Sequence, residues 1–351
     1  MRRNKRVVQV GGIKVGGDNP VVVKGMLKSS LNDPERVIGE ASRLEKEGCE
    51  IIRVAFERKS HSGVVKRIKK TVSVPLEADV HFDYRLALSA LDLGIDALRL
   101  NPMNIYKKKE IREVVRAALI NKVPIRVGIN SGGFRKRVSD KQLSDLMLNK
   151  ISGYVRFMEK EGFKNIMLSA KTHSLSSTVL VNRSLYRKFP YPLHLGLTAS
   201  GPYTEGLIKS SSALGILLYE GIGDAVRLSL NADSFEEVKA AKILLQGVSL
   251  RRFSPEIISC PTCSRCRVDL KGKVEKFKEI LYKNRNSFYN KDISIALMGC
   301  PVNGPGEAVS ADIGIAFGKG YGMLFKKGEV LRRVREEEAL GILLKYIEVS
   351  H

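Results

Sequence analysis

Short, almost continuously apolar runs recur along the first 230 residues and alternate with longer stretches whose apolar residues repeat every three to four positions. Runs rich in β-branched residues predict strands buried on both faces, and the periodic stretches predict amphipathic helices that cover them. Eight strands are predicted, at 20–26, 49–56, 75–80, 97–102, 124–130, 164–170, 192–199 and 224–230.

The helices predicted between these strands are at 33–48, 64–70, 84–93, 108–121, 140–162, 176–187 and 209–220. Eight strands, each followed by a helix, within about 240 residues predict a (β/α)8 TIM-type barrel. A flat, doubly wound parallel sheet is the alternative. Residues 7–15 form a predicted two-stranded turn at Gly11-Gly12, which we expect to plug the amino-terminal mouth of the barrel.

The pattern changes after residue 230, where a helix at 234–245 leads into the last hundred residues. There the sequence predicts a helix at 271–284, strands at 293–298 and 312–317, a turn at 318–322 and a closing helix at 329–347. This mixture indicates a small α+β domain. The predicted domains are therefore residues 1–245 and 246–351.

Composition adds charge to this picture. The 351 residues are 43% hydrophobic and carry a formal net charge of +23. No apolar run approaches the roughly 20 residues that span a bilayer, and the basic amino end precedes too short an apolar run for a signal peptide. A cytoplasmic protein is expected. The charge is compatible with high solubility, nucleic acid, a membrane surface, an anionic substrate or an acidic protein partner.

Four predicted strands place an arginine between apolar neighbours, where burying an unpaired charge is costly. These are Arg53, Arg99, Arg126 and Arg227, and Lys171 follows the sixth strand. The carboxylates near these strands are too few to neutralise these five cations: Asp79, Asp83 and Asp224. Arginine binds phosphoryl oxygens in a bidentate manner, so the ring of cations favours a phosphorylated ligand. Structural salt bridges under the barrel rim are the alternative.

Other polar side chains mark the ends of the predicted strands, where a barrel places its active site. Asp79, His81 and Asp83 follow the third strand, in a spacing that suits a metal site, an acid/base pair or a hydrogen-bonded support. Asn130 and Ser229 also lie at strand ends, whereas His194 within the seventh strand is expected to be a core histidine with its hydrogen bonds satisfied.

Four of the five cysteines lie in the last hundred residues: Cys260, Cys263, Cys266 and Cys300. A Cys-x-x-Cys pair completed by a distant thiolate binds either zinc or an iron–sulfur cluster. Cys300 opens a segment rich in glycine and proline that ends at Glu307, and such a tight loop favours a cluster that faces a substrate. Cys49, at the start of an apolar strand, is expected to be core.

Taken together, these motifs resemble the 4-hydroxy-3-methylbut-2-en-1-yl diphosphate synthase family in its bacterial two-domain form. The resemblance covers nearly the whole chain and is carried by five segments: 79–83, 98–102, 221–224, 259–263 and 299–307. The pairing of the last two segments is highly specific. It implies a TIM-type barrel followed by an iron–sulfur domain that resembles part of sulfite and nitrite reductases.

The resemblance also implies roles for individual residues. Cys260, Cys263 and Cys300 would bind a [4Fe–4S] cluster, with Glu307 as a fourth, non-thiolate ligand that also serves catalysis. The diphosphate would be held by Arg53, Arg99, Arg126, Lys171 and Arg227. Asn130, Ser229 and Asn303 would add hydrogen bonds, and Asp79 and His81 would shape the pocket.

The implied reaction is the two-electron reductive ring opening of 2-C-methyl-D-erythritol 2,4-cyclodiphosphate, with loss of water, in the methylerythritol phosphate route to isoprenoids. The implied partners are an acidic electron donor, flavodoxin or ferredoxin, and a second copy of the chain in a homodimer. The rival hypothesis is a zinc-stabilised basic protein that binds nucleic acid. It accounts for the charge but not for the arginine ring, and 7% aromatic residues without tryptophan offer little base stacking.

Three positions depart from the family pattern. Ala199 stands where the family usually has glutamate, unless Glu205 reaches in from the following loop. The segment 23–27, which contains Lys24, replaces two polar groups at the barrel mouth. Cys266 is an additional thiol three residues from an implied ligand, and as a competitor of Glu307 it would give an all-cysteine cluster.

Overall fold

Parallel strands close into a barrel in the first of two compact units, which divide between Arg251 and Arg252. The computed structural model describes residues 5–134, 138–289, 291–301, 306 and 308–349. The chain opens with a hairpin, β1 (Val8–Val10) and β2 (Ile13–Val15). The barrel strands are β3 (Val22–Met26), β4 (Ile51–Ala55), β5 (Leu76–Val80), β6 (Ala97–Leu100), β7 (Ile125–Asn130), β8 (Ile166–Lys171), β9 (His194–Leu195) and β10 (Ala225–Val226).

The barrel strands pair in the order β8-β7-β6-β5-β4-β3-β10-β9, all of them parallel. A parallel bridge between Leu168 of β8 and Leu193, next to β9, closes the circle. The sheet is therefore a closed barrel, as the sequence predicts, and not the flat alternative.

Eight helices follow the barrel strands and cover them: α1 (Pro34–Lys46), α2 (Ser62–Thr71), α3 (Tyr84–Asp92), α4 (Lys108–Ile120), α5 (Asp140–Lys160), α6 (Leu175–Lys188), α7 (Tyr203–Tyr219) and α8 (Ser234–Gly247). Short 3-10 helices occupy Lys59–His61 and Ser131–Gly133. Local capping explains several bounds. Asp33 accepts a hydrogen bond from the Arg36 amide and Pro34 starts α1, while Ser139 and Gln142 form a capping box on α5.

The hairpin packs against the amino ends of the barrel strands. Val8, Val10 and Val15 share a buried cluster with the first residues of four of those strands: Val22, Ile51, Ala97 and Ala225. This packing confirms the predicted plug at the amino end of the barrel. The opposite, carboxyl end is left for a site.

The second unit contains a five-stranded mixed sheet in the order β11-β12-β13-β14-β15. Its strands are β11 (Glu256–Ser259), β12 (Ser294–Met298), β13 (Ile313–Gly318), β14 (Tyr321–Lys326) and β15 (Glu329–Arg335). Helices α9 (Leu270–Lys283), α10 (Arg285–Phe288) and α11 (Ala339–Val349) accompany it. The first three strands are parallel and the last two antiparallel, which confirms an α+β domain.

The prediction of a closing helix at 329–347 is wrong. Residues 329–335 form the edge strand β15, and only the second half of the range is helical. Lys327 and Gly328 both have positive φ, at 48° and 84°, which is the two-residue turn of a tight hairpin. Because β15 lies at an edge and is largely exposed, its sequence carries little of the apolar alternation that marks a strand.

Five further elements differ from prediction. Strands β11 and β14 are not among the predicted strands, and helix α7 begins at Tyr203 instead of 209. Strands β9 and β10 are regular over two residues each, although longer runs were predicted there. Across the described residues, no helix is long and apolar enough to cross a membrane.

Phe277 of α9 is fully buried in the core of the second unit. Replacing it with alanine removes a large apolar side chain and leaves a cavity, so Phe277→Ala should lower the free energy of unfolding by about 3–5 kcal/mol. The exposed neighbour on the same helix provides the control, because Lys276→Ala should change that free energy by less than about 0.5 kcal/mol. Urea denaturation followed by circular dichroism measures both, and equal effects would contradict this packing.

Candidate active site

Cationic side chains converge inside the barrel. Among the described residues, six lysines and arginines from the barrel strands are buried or nearly so: Lys24, Arg53, Arg99, Arg126, Lys171 and Arg227. Three carboxylates lie among them: Glu77, Asp79 and Glu237. The interior therefore holds an excess of cationic groups, which is the arrangement the sequence predicts, although more of them are paired than predicted.

Glu77 is the centre of the ionic network, and the sequence analysis missed it. Its side chain is fully buried in β5, and it accepts hydrogen bonds from Lys24 Nζ at 2.8 Å and from Arg126 Nη2 at 2.7 Å. Burial opposes its ionisation, but Arg126 and Lys24 hold its pKa well below the usual range. Arg126, predicted to bind a ligand, is thus already engaged in a bidentate ion pair.

Asp79 joins two of the predicted arginines. Its carboxylate lies 3.0 Å from Arg99 Nη1 and 3.6 Å from Arg53 Nε. Burial opposes its ionisation, but Arg53, a hydrogen bond with His81 and Arg99 together hold its pKa well below the usual range. Asp79 therefore supports the cations, in agreement with the support role that the sequence left open.

Arg227 follows β10, and its carboxylate partner belongs to a helix and not to a strand. Its Nη2 donates to Glu237 of α8 at 2.9 Å, and its Nη1 donates to Ser229 Oγ at 3.0 Å. Glu237 also accepts from the Leu230 amide, so the helix is tied to the strand end. The sequence predicts too few acids to neutralise the buried cations. This is wrong for Arg126 and Arg227, because Glu77 and Glu237 pair with them.

Lys171 differs from the other cations. Within the described residues its Nζ is buried without a hydrogen-bond partner. Burial, followed by repulsion from Arg227 and Arg53, lowers its pKa well below the usual value. Gly196 makes room for it, because a Cβ there would lie 2.5 Å from Lys171 Nζ. An amine that is desolvated and unsatisfied is a strong recipient for an anion.

Glycine also makes room for two arginines. A Cβ at Gly128 would lie 2.9 Å from Arg99 Nε and 3.1 Å from Arg126 Nη1. The Gly128 carbonyl accepts from Arg99 Nη2 at 2.9 Å and orients the guanidinium. Arg99 Nε and Arg227 Nε, like Lys171 Nζ, are buried without a hydrogen-bond partner among the described residues. Three cationic groups with an unsatisfied donor therefore remain in the interior.

His194 is buried in β9, as predicted, but it is not satisfied. Neither ring nitrogen has a hydrogen-bond partner within the described part of the chain. Burial, then the positive charges of Lys171 and Arg126, lower its pKa well below the usual value. The ring is therefore neutral, since a cation there would add to the existing repulsion.

Polar groups at the carboxyl ends of the strands extend the cationic interior towards the rim. Asn130 ends β7 and is the register partner of Lys171, the last residue of β8. His81, after β5, contacts Asp79 through Nε2 at 3.3 Å and Asn104 through Nδ1 at 2.8 Å. Its side chain is 40% exposed, so it lies where the interior opens to solvent.

The structure shows where the barrel residues that depart from the family pattern lie. Ala199 lies in the left-handed region at φ 50°, and the neighbouring Ser200 Oγ donates to the Ser229 carbonyl. Glu205 is exposed in the first turn of α7, so it does not take the position of the missing acid. Lys24 points inward onto Glu77, and the segment 23–27 therefore brings a charge into the barrel.

In the second unit, two cysteines follow neighbouring parallel strands. Cys260 comes directly after β11 and Cys300 two residues after β12, and these strands are in register from Glu256–Ser294 to Ser259–Leu297. The Gly299 amide lies 3.3 Å from Cys260 Sγ. We call this end of the sheet, where the two strands finish, the cysteine end.

Cys263 and Cys266 lie in a tight turn beside them. The Cys266 amide donates to the Cys263 carbonyl at 2.9 Å, and Cys263 is exposed. Cys266 Sγ contacts the Val268 carbonyl and lies 2.6 Å from the position of a Cβ on Gly299. Thr262 has φ 67°, which is strained for a β-branched residue and keeps the Cys260–Cys263 loop in an unusual conformation.

These thiols are suitable donors for a soft metal centre, and they come from two loops at one end of the sheet. Within the described residues, however, no three His, Cys, Asp or Glu side chains converge as a metal site. Asn303 and Glu307, two of the predicted site residues, lie outside the described residues. Cys49 is buried core as predicted, and burial raises the pKa of its thiol to about 12.

Glu77→Gln should be strongly destabilising, because it leaves the buried charges of Lys24 and Arg126 uncompensated. Removing one partner of a buried ion pair costs about 3–5 kcal/mol of unfolding free energy. The control is the exposed pair of Glu35 with Arg67, where Glu35→Gln should cost at most about 1 kcal/mol. Denaturation measured at neutral pH separates these values.

The pH dependence gives a second measure of the same substitution. A lowered carboxyl pKa contributes stability above the unfolded value of about 4.3, and this is lost as the pH falls towards the folded-state value. The difference between the unsubstituted protein and Glu77→Gln should therefore be constant at neutral pH and shrink below about pH 4. A difference that grows in acid would contradict the assignment of Glu77 as ionised.

Comparison with known proteins identifies the relatives of this chain. Residues 5–242 match the family described as "GcpE TIM-barrel domain", and residues 256–349 match "GcpE protein C-terminal domain". Solved structures of dihydropteroate synthases from Xanthomonas albilineans and Yersinia pestis share the barrel, with TM-scores of 0.52 and 0.53. They are 14% identical and cover 70% of this chain, and 99% and 100% of their own chains, so they show the fold alone.

Full-length relatives are more informative. A protein of Fusobacterium nucleatum is 42% identical over 99% of this chain and 98% of its own, and one of Caldanaerobacter subterraneus is 41% identical over the same shares. Both are named "4-hydroxy-3-methylbut-2-en-1-yl diphosphate synthase (flavodoxin)". With both of its domains matched and identity maintained from end to end, the chain belongs to the GcpE family of 4-hydroxy-3-methylbut-2-en-1-yl diphosphate synthases.

Proposed function

We propose that this chain reductively opens 2-C-methyl-D-erythritol 2,4-cyclodiphosphate and releases 4-hydroxy-3-methylbut-2-en-1-yl diphosphate and water, with two electrons from a donor protein. The relatives' name supports the product, and the resemblance of the motifs supports the substrate. The observation in the structure that supports it most is the unpartnered amine of Lys171 among buried arginines. That interior suits a compact, multiply charged anion.

The diphosphate would meet the three unsatisfied donors first: Lys171 Nζ, Arg99 Nε and Arg227 Nε. Its negative charge would offset the burial and repulsion that lower the pKa of Lys171, so binding would favour the protonated amine. Arg53 is held by Asp79 at 3.6 Å, a separation that leaves its guanidinium available to phosphoryl oxygens. Arg126 would act mainly through its positive charge, because Glu77 already occupies its donors.

Groups near the rim would orient the part of the substrate that carries the ring. Asn130 and Ser229 offer hydrogen bonds on opposite sides of Lys171, and His81 stands between Asp79 and Asn104. Ser229 is itself positioned by Arg227 and supports Ser200 through its carbonyl. The pocket would thus select its substrate by positive charge in the interior and by hydrogen bonds at the opening.

A [4Fe–4S] cluster would be held by Cys260, Cys263 and Cys300, with Glu307 as the fourth ligand and catalytic residue. When bound, such a cluster supplies single electrons and one Lewis-acidic iron for the departing oxygen. The shared sheet end of Cys260 and Cys300 and the exposure of Cys263 suit this donor set. Cys266 would keep a structural role, because its Sγ contacts the Val268 carbonyl and lies beside Gly299.

Asn303 would contribute a hydrogen bond from the same loop as Glu307. The electron donor would be flavodoxin, as the names of the relatives indicate, with ferredoxin as the alternative that the sequence left open. The active form would be a homodimer in which one subunit's cluster domain covers the barrel of the other.

The activity is tested by purifying the protein anaerobically and assaying it with the cyclodiphosphate and photoreduced deazariboflavin, an uncharged small reductant. Product should form, and Lys171→Gln should lower kcat/KM roughly ten- to a hundredfold, the loss of one hydrogen bond to a charged group. Lys164→Gln is the control and should retain full activity, because Lys164 is exposed and precedes β8, at the opposite end of the strand from Lys171. A colourless protein that contains zinc and gives no product would support the nucleic-acid-binding rival instead.

The ligand assignment is tested by iron content. Cys263→Ser should lose most of the approximately four irons per chain, because one of three thiolates would be missing. Cys266→Ser should retain iron content and visible absorption near those of the unsubstituted protein. Loss of iron in Cys266→Ser would show that this thiol is a ligand and that the three-cysteine set is wrong.

A further inference from the structure

The β14–β15 hairpin presents a row of unpaired arginines at the edge of the second unit's sheet. Arg332, Arg333 and Arg335 of β15 are all exposed, and no described residue forms an ion pair with them. We call these three residues the arginine edge. The turn between β13 and β14 adds the exposed Lys319. Acids follow the strand, but Glu336 pairs with Lys273 and Glu338 borders the same surface without an ion pair to the arginine edge among the described residues. The charge of these arginines is therefore available to a partner that supplies negative charge.

The strand register places this edge level with the cysteines. Met298 of β12 pairs with Ala316, Ala316 with Met323, and Met323 with Arg333, so these four residues form one row across the sheet. Two residues further along, Gly318, Tyr321 and Arg335 form a second row. Cys300 follows β12 by two residues, at the end of the sheet where this second row lies. Three strand spacings of about 4.8 Å separate β15 from β12, so Arg335 lies on the order of 14 Å from the strand that leads to Cys300.

The surface beside the arginines is shaped as well as charged. Arg333 stacks on the Tyr321 ring, with its guanidinium carbon 3.7 Å from the ring centroid. A cavity of about 500 Å³ opens there and is lined by Tyr321, the arginine edge, Glu338 and Ile342. Apolar side chains extend the patch, because Val330 and Leu331 are 48% and 45% exposed. Arginine and tyrosine around exposed apolar groups are the composition of a protein interface.

The charge also argues against self-association through this strand. β15 is an edge strand, and its outer backbone groups would otherwise template pairing with a second copy. Two such edges would bring six arginines together, and like charges at an interface are strongly unfavourable. An acidic protein would instead be attracted to the arginine edge. An acidic protein that carries electrons gains from docking near the cysteine end, because electron transfer slows steeply with distance.

We propose that the arginine edge, with Tyr321, is the docking surface for the acidic flavodoxin that reduces this enzyme. The inference rests on the proposed function, since it assigns a surface to that reaction's electron donor. The carrier's carboxylates would pair with Arg333 and Arg335, and its cofactor edge would face the row that leads through Tyr321 and Gly318 to Cys300.

The test compares two charge reversals in the cluster-loaded enzyme. Arg333→Glu/Arg335→Glu reverses the charge next to the cysteine end. Lys326→Glu/Lys327→Glu reverses two exposed cations at the other end of the same hairpin, about 17 Å away along the strand. With reduced recombinant flavodoxin as the donor, the arginine variant should raise the KM for flavodoxin on the order of tenfold, and the lysine variant should leave it within about twofold.

The small uncharged reductant separates this inference from the proposed function. With photoreduced deazariboflavin, both variants should retain the turnover of the unsubstituted enzyme, so that only the flavodoxin-driven rate falls. Binding of flavodoxin to the loaded chain, measured by calorimetry, should weaken by the same factor and lose its salt dependence in the arginine variant. If the unsubstituted enzyme makes no product with either reductant, the proposed function fails, while calorimetry still tests the surface.

Several results would overturn the docking surface. One is an unchanged KM and binding constant in the arginine variant, and another is an equal loss in the lysine variant. A change of oligomeric state on gel filtration would show that the edge joins copies of this chain. If the double reversal lowers iron content, Arg333→Gln/Arg335→Gln replaces it, and this milder variant must still raise the KM for flavodoxin severalfold.

Discussion

The barrel interior is governed by the cost of burying positive charge. Among the described residues, six cationic side chains share the space with three carboxylates, and each carboxylate pairs with two cations. Glu77 and Glu237 hold Arg126 and Arg227 in place, and the imbalance falls on Lys171, whose amine has no partner among the described residues. The pairs keep the barrel folded, and the unsatisfied amine makes the interior receptive to an anion. Structural salt bridges and a ligand site, which the sequence leaves as alternatives, are therefore two parts of one network.

In the second unit, the ends of parallel strands decide which side chains meet. Parallel strands finish at one end of a sheet, so residues far apart in sequence meet there, as Cys260 and Cys300 do after β11 and β12. The antiparallel hairpin β14–β15 places Tyr321 and Arg335 at the same end of the sheet. A redox centre at this end and a charged docking surface beside it would follow from a single topology.

Most of the fold follows from local pattern, because buried parallel strands and amphipathic helices leave strong signals in the sequence. The barrel, its plug and the α+β second domain are predicted in this way. The edge strand β15 is missed because it is exposed and highly charged, so the alternation that marks a strand is absent. Gly328 is the available signal for it, since glycine readily takes the positive φ that a tight hairpin turn requires.

The sequence by itself determined the family, the arginine positions and the cysteine spacing, because residue type and spacing are local properties. The tertiary structure decided which charges are paired. Glu77 lies next to Lys24 and Arg126 only because β3, β5 and β7 face one another across the barrel, and Glu237 reaches Arg227 only because the chain turns back between β10 and α8. Pairing depends on distances in the folded chain. Lys171 therefore looks like any other cation in the sequence, and only the folded barrel leaves its amine without a partner.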